Sequence, residues 1–129
     1  TSEARGLLGT QVSLRNAIKQ WGNTAALVAA LYTGDLELLR RSLQDHIAEP
    51  ARAGLVPGFT PAKAAAIEAG ALGCSLSGSG PSVFALCENA ASARTVVDAM
   101  ASVFEGRGLE VDRNVSPVGT SGARVLESP

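Results

Sequence analysis

Apolar residues recur along the first half of the chain with the period of an α-helix. From Val12 to Thr33, the residues Leu14, Ile18, Trp21, Ala25, Val28 and Tyr32 follow one helix face, and the face carrying Trp21 and Tyr32 reads as core. Gly34 ends this helix. Asp35 caps the next one, whose stripe is Leu36, Leu39, Leu43 and Ile47, and Pro50 stops or bends it. Residues 2–8 predict a short helix ahead of both. Residues 53–59, AGLVPGF, form a connection. Thr60 and Pro61 have the order of an N-cap followed by proline at the first helical position, and a mostly alanine helix then runs to Gly70.

The pattern then shortens. ALGCSL and SVFAL are brief apolar runs flanking a Gly-Ser-Gly-Pro loop, and they predict two antiparallel strands. Asn89 caps an amphipathic helix with Ala93, Val96, Val97, Met100, Val103 and Phe104 on one face, and Gly106 stands where a C′ glycine belongs. LEVDR (109–113) and ARVLE (123–127) predict two further strands. The fold class is α+β: helices first, then β-β-α-β-β, a two-layer sandwich with helices on one face of an antiparallel sheet. The 129 residues form one domain, with neither an internal repeat nor a linker.

Composition narrows the function classes. The chain is 46% hydrophobic and 18% charged, enough to bury a core, so disorder is excluded. A net charge of −1 argues against nucleic acid as a partner, because a phosphate backbone calls for a basic stripe. No apolar run approaches the roughly 20 residues of a membrane span, which argues against a membrane partner. Cys74 and Cys87 are the only cysteines, lack metal-ligand spacing, and read as buried, reduced thiols. The chain opens TSEAR, without Met and directly on a helix signal; Thr1 suits an N-cap, and nothing precedes it to form a first strand. A fragment of a longer protein is the expectation.

The Gly-Ser-Gly-Pro loop, Gly78 to Pro81, is the sharpest chemical signal. Gly78 and Gly80 let backbone N–H groups approach an anion, and Ser77, Ser79 and Ser82 add hydroxyls. A wide hairpin turn accounts for the same composition equally well. The loop is neither a P-loop, since no Gly-Lys-Ser/Thr follows, nor a dinucleotide fingerprint, since Val83 stands at the third glycine. Arg5 and Arg52 are each able to clamp a carboxylate with two parallel hydrogen bonds, although a solvated arginine is the ordinary state of any single one. His46, the one histidine, lies between Asp45 and Glu49 with no nucleophile pattern around it and reads as a surface residue. Asp45 and Glu49, one helical turn apart, read as partners of local backbone or of Arg52.

Taken together, TSEAR (1–5), DHIAEPARAGLVPGF (45–59), EAGALGCSLSGSGPSVFALC (68–87) and GTSGARVLES (119–128) resemble the C-terminal half of the homoserine kinase family. That family is a branch of the small-molecule kinases grouped with galactokinase and mevalonate kinase. SGSGPS marks the wider group; TSEAR with AEPAR and PGF narrows it. The resemblance implies a ferredoxin-like C-terminal domain and phosphoryl transfer from Mg-ATP to the hydroxyl of L-homoserine, giving O-phosphohomoserine for threonine synthesis in the cytoplasm. It implies that Thr1, Arg5 and Arg52 line the amino-acid pocket and that Gly78, Ser79 and Gly80 close the site beside substrate and phosphates. The family's phosphate loop and Mg2+ carboxylate have no counterpart in these 129 residues, so no metal ligand and no catalytic base is named here, and the chain alone is expected to be inactive. The family's dimers leave a homodimer open. Two other readings also stay open: the same domain from a sister kinase acting on a different alcohol, and a stand-alone α+β module that binds a small ligand without chemistry.

Overall fold

A computed structural model describes residues 2–119, 121–122 and 125–126. Its elements are α1 (Ser2–Gly6), α2 (Leu14–Thr33), α3 (Leu36–Ser42), α4 (Ala48–Arg52), a 3-10 turn (Ala53–Leu55), α5 (Phe59–Glu68), β1 (Gly73–Leu76), β2 (Val83–Leu86) and α6 (Ala90–Glu105). The mixed α+β class expected from the two periodicities is the one found.

Local chemistry explains most boundaries. The Ser13 side chain accepts from the Asn16 amide at 3.2 Å and starts α2; Gly34, at φ 71°, ends it with its N–H on the Ala30 carbonyl at 2.8 Å. Asp35 caps α3 through the Leu38 amide at 2.9 Å. Asn89 and Ser92 form a reciprocal capping box at the start of α6. Three boundaries depart from the pattern. The stripe from Leu36 to Ile47 is not one helix: α3 closes at Ser42, and Pro50 sits in the first turn of the separate α4, where its missing N–H costs nothing. Helix α5 begins at Phe59 with Gly58 (φ 88°) as its N-cap, so Thr60 and Pro61 lie inside its first turn. Gly106 stays right-handed at φ −61°; the left-handed residue after α6 is Gly108 at φ 76°.

The hairpin pairs antiparallel, with Gly73 opposite Leu86, Cys74 opposite Ala85, Ser75 opposite Phe84 and Leu76 opposite Val83. Cys74, Leu76, Val83 and Ala85 share one face and pack against α5 and α6. Fully buried Ala62 and Ala66 let those two helices approach closely around Phe59, Val96, Met100 and Phe104. A second assembly joins Leu27 and Ala30 of α2 to Leu38 and Leu39 of α3, with Leu72 and Leu86 completing it.

Among the described residues the sheet has two strands, not four. Residues 109–113 run unpaired after α6. Val111 reaches the core and Arg113 bonds Asp98 and Glu105 of α6, while an open cleft of about 600 Å³ separates Leu109 and Val111 from Val83 of β2. The expected alternation finds no strand partner among the described residues. The expected strand 123–127 includes Ala123, Arg124 and Glu127, which lie outside the described residues.

The largest departure concerns α2. Its heptad-spaced stripe is not core: Trp21 is 65% exposed and Tyr32 89%, and Leu14, Ile18, Ala25 and Val28 are exposed with them. The opposite face does the packing. Leu27 and Ala30 meet α3, the Asn23 amide donates to the Gln44 carbonyl at 2.8 Å, and Gln20 Oε1 accepts from the His46 amide at 2.9 Å. A two-residue connection folds α3 back onto the side where Leu27 lies, and periodicity alone does not say which of two faces that is. Since Trp21 is the only tryptophan, fluorescence of chain 1–129 reports this face directly. Its emission is expected to be red-shifted and readily quenched by iodide, and Trp21→Gln is expected to change unfolding free energy by less than about 0.5 kcal/mol. A blue-shifted, protected indole in this chain contradicts the placement.

Candidate functional site

The site is assembled around Arg52, the last residue of α4. Three residues before α4 begins, the chain is pinned by Asp45, whose carboxylate accepts from the amides of Ile47 (2.7 Å), Ala48 (2.8 Å) and Glu49 (3.2 Å). The expectation that Asp45 serves local backbone holds. From this anchored turn the half-buried Arg52 side chain reaches two segments distant in sequence. Nε donates to the Ala4 carbonyl of α1 at 3.3 Å, and Nη1 donates to the Gly78 carbonyl of the glycine loop at 3.1 Å. TSEAR, AEPAR and SGSGP are thereby drawn to one place. Arg5 follows Ala4 directly and is exposed there; Thr1 lies outside the described residues.

The glycine loop is built for access to its backbone. Ser77 N–H donates to the Ser82 carbonyl at 2.8 Å, and Gly80 N–H to the Ser77 carbonyl at 3.1 Å. Those bonds close the turn. The amides of Gly78 and Ser79, at its crown, donate to no acceptor among the described residues. Gly78 (φ 63°) and Gly80 (φ 74°) both occupy the left-handed region, and a Cβ on Gly80 would come within 2.8 Å of Val56 Cγ2. Two adjacent amides left without an acceptor among the described residues are the kind of donor pair that an anion can accept from.

Glu49 is not the partner of Arg52 that its spacing suggested. Its carboxylate, 13% exposed, is paired with Lys63 Nζ and accepts from Ser75 Oγ at 2.6 Å. Lys63 and Ser75 were not singled out in the sequence. The available signal was slight: one cation inside an alanine-rich helix, and one hydroxyl between two apolar strand positions. Among the described residues no group of three or more His, Cys, Asp or Glu residues is arranged to hold a metal ion, and Glu49 is already engaged. Two open apolar clefts lie against β2, α6 and residues 109–116, and neither is lined by Arg5, Arg52 or Glu49. No described helix is long and apolar enough to cross a membrane.

A chain with this helix-hairpin-helix core and a glycine loop between its strands matches the family of GHMP kinases, C-terminal part, over residues 27–106, and it belongs to that family. Within it, the similar proteins are homoserine kinases. That of Chlorobium phaeovibrioides is 50% identical over 128 residues, covering 98% of this chain and 40% of the relative. That of Pyrococcus furiosus is 47% identical over 119 residues, covering 92% and 40%. A crystal structure of homoserine kinase from Cytophaga hutchinsonii superimposes with a TM-score of 0.81 at 50% identity, over 83% of this chain and 34% of that one. The chain thus spans about 40% of the length of the curated relatives it matches.

Both thiols are free, but only Cys74 is buried; Cys87, expected to be buried with it, is half-exposed near the end of β2. Burial pushes the Cys74 thiol up to about 11; the Lys63 ammonium opposes this, and Glu49 and Cys87 add to it. The native state therefore holds this proton where the unfolded chain has begun to lose it. The resulting stability is complete below the ordinary thiol value of 9.0 and is lost as pH rises through about 11. Alkylation at mildly alkaline pH is expected to modify Cys87 readily and Cys74 only after denaturant is added. Equal rates for both thiols in the native protein would contradict the placement of Cys74.

Proposed function

We propose that this chain is the C-terminal, amino-acid-binding part of a homoserine kinase. In the whole enzyme the hydroxyl oxygen of L-homoserine attacks the γ-phosphorus of ATP, the bond to the bridging oxygen breaks, and ADP and O-phospho-L-homoserine leave, the latter feeding threonine synthesis. The observation that carries the reading is the Arg52 fork held between Ala4 of TSEAR and Gly78 of the glycine loop. There three of the motifs resembling homoserine kinase are joined. Of the three readings open at the level of sequence, the names of the relatives favour this one over a sister kinase, and their length favours a part of an enzyme over a free-standing module.

In this proposal Arg52 and Arg5 bind the α-carboxylate, with Thr1 beside them. The planar guanidinium fork matches a carboxylate in a way a lysine ammonium does not. Gly78, Ser79 and Gly80 close the pocket, and the amides of Gly78 and Ser79 donate to anionic oxygens as charge shifts during transfer. Phosphoryl transfer depends chiefly on such positioning and electrostatic stabilisation. Mg2+ would supply charge neutralisation between the nucleotide phosphates; it and ATP are held mainly by the part of the protein outside this chain. ATP and a free amino acid as substrates, and two free thiols, suit the cytoplasm. A homodimer is compatible with the reading.

Two outcomes follow. Chain 1–129 alone is expected to show no homoserine-dependent ADP release above background, and a turnover that scales with its concentration would refute the division of labour. In the full-length enzyme, losing one bidentate contact costs on the order of 2–4 kcal/mol, so Arg52→Ala is expected to lower kcat/KM for homoserine by about a hundredfold or more. Arg5→Lys and Arg52→Lys recover only part of this, with KM for ATP little changed. Normal homoserine kinetics in both lysine variants would remove these arginines from the site.

A further inference from the structure

Glu49, Lys63 and Ser75 join α4, α5 and β1 at one carboxylate. Glu49 accepts from Lys63 Nζ on one oxygen and from Ser75 Oγ, at 2.6 Å, on the other. The side chains of Glu49 and Lys63 are 13% and 28% exposed, and the ammonium lies 6.0 Å from the centre of the Phe59 ring. Such a pair is a poor source of stability, because removing both charges from water offsets most of their attraction. Its geometry explains it better.

Helix α4 has five residues, far too few to hold its own conformation. Asp45 fixes where it begins but not how it is rotated about its axis. Glu49 fixes the rotation, since its two oxygens are tied to two different elements. Arg52 lies three residues on, on the same side of the helix, so the direction of its side chain follows from that of Glu49. The same ties have an electrostatic consequence. At this spacing a free Glu49 carboxylate would itself occupy the Arg52 fork. Held by Lys63 and Ser75, it leaves the guanidinium to Ala4, Gly78 and an incoming anion.

We propose that Glu49, clamped by Lys63 and Ser75, is a positioning residue for Arg52: it orients the fork toward the gap between α1 and the glycine loop and keeps its own charge away from it. The inference rests on the reading that Arg52 holds the substrate carboxylate. It assigns the specificity of that site to a carboxylate that touches no substrate.

The test uses the full-length enzyme with Glu49→Gln and Ser75→Ala, each alone and each combined with Arg52→Lys. Glu49→Gln is expected to raise KM for L-homoserine by about ten- to a hundredfold, the scale of a misplaced binding group, with kcat and KM for ATP held within about twofold. Ser75→Ala, which removes one of the two ties, shifts KM in the same direction by less and carries the test if the first variant folds poorly. In the Arg52→Lys background neither change adds appreciably to the homoserine KM, because both act through the fork already lost. A general structural role would instead lower thermal stability and the active fraction, and its effect would multiply with that of Arg52→Lys; that result overturns the proposal, as does a normal homoserine KM in both single variants. If Arg52→Lys alone leaves the homoserine KM unchanged, the carboxylate reading itself fails. If Arg52→Lys raises it and Glu49→Gln does not, only the positioning role fails.

Discussion

The site depends on one guanidinium bonding two carbonyls that are 74 positions apart. Arg52 donates to the carbonyls of Ala4 and Gly78 and so ties α1 to the glycine loop. A guanidinium suits this task. Its five donors lie in one plane, so two can hold protein carbonyls while others remain directed outward. The rest of the architecture serves this placement. Asp45 starts α4, the Glu49 ties orient it, and the hairpin carries Gly78 to the meeting point on strands braced by α5 and α6.

Elements whose cues are local were legible in the sequence. Asp35 and Asn89 cap where their residue types suggest, Gly34 ends α2 by its left-handed conformation, and the Gly-Ser-Gly-Pro loop separates two short strands. Features decided by tertiary choice were not. The α2 stripe has the right period for a buried face, yet a helix with two apolar faces leaves one over, and only the docking of α3 decides which. Residues 109–113 alternate as a strand should, but alternation marks two faces and does not supply a neighbour with free backbone groups. The candidate site divides in the same way. Arg52 and the glycine loop were visible as residue types suited to an anion. The clamp on Glu49 was not, because Lys63 and Ser75 carry no motif and are joined to it only by folding.

The local charge pattern follows from these placements. The whole chain carries a net charge of −1, so nothing in its bulk composition attracts an anionic ligand. On the proposed reading, selectivity for an anion is then local, and it comes from separation rather than from excess. Asp45 is covered by three backbone amides and Glu49 by an ammonium and a hydroxyl, so both carboxylates of this stretch are engaged elsewhere. On the proposed reading, a guanidinium fork and two adjacent backbone amides are left to meet the ligand. Both are fixed donors, already oriented before a ligand arrives, and in a half-buried setting such donors act more strongly than they would in water. A short helix that would be unstable alone thus becomes a precise mount, because Asp45 just before it and Glu49 within it are both committed to holding it in place.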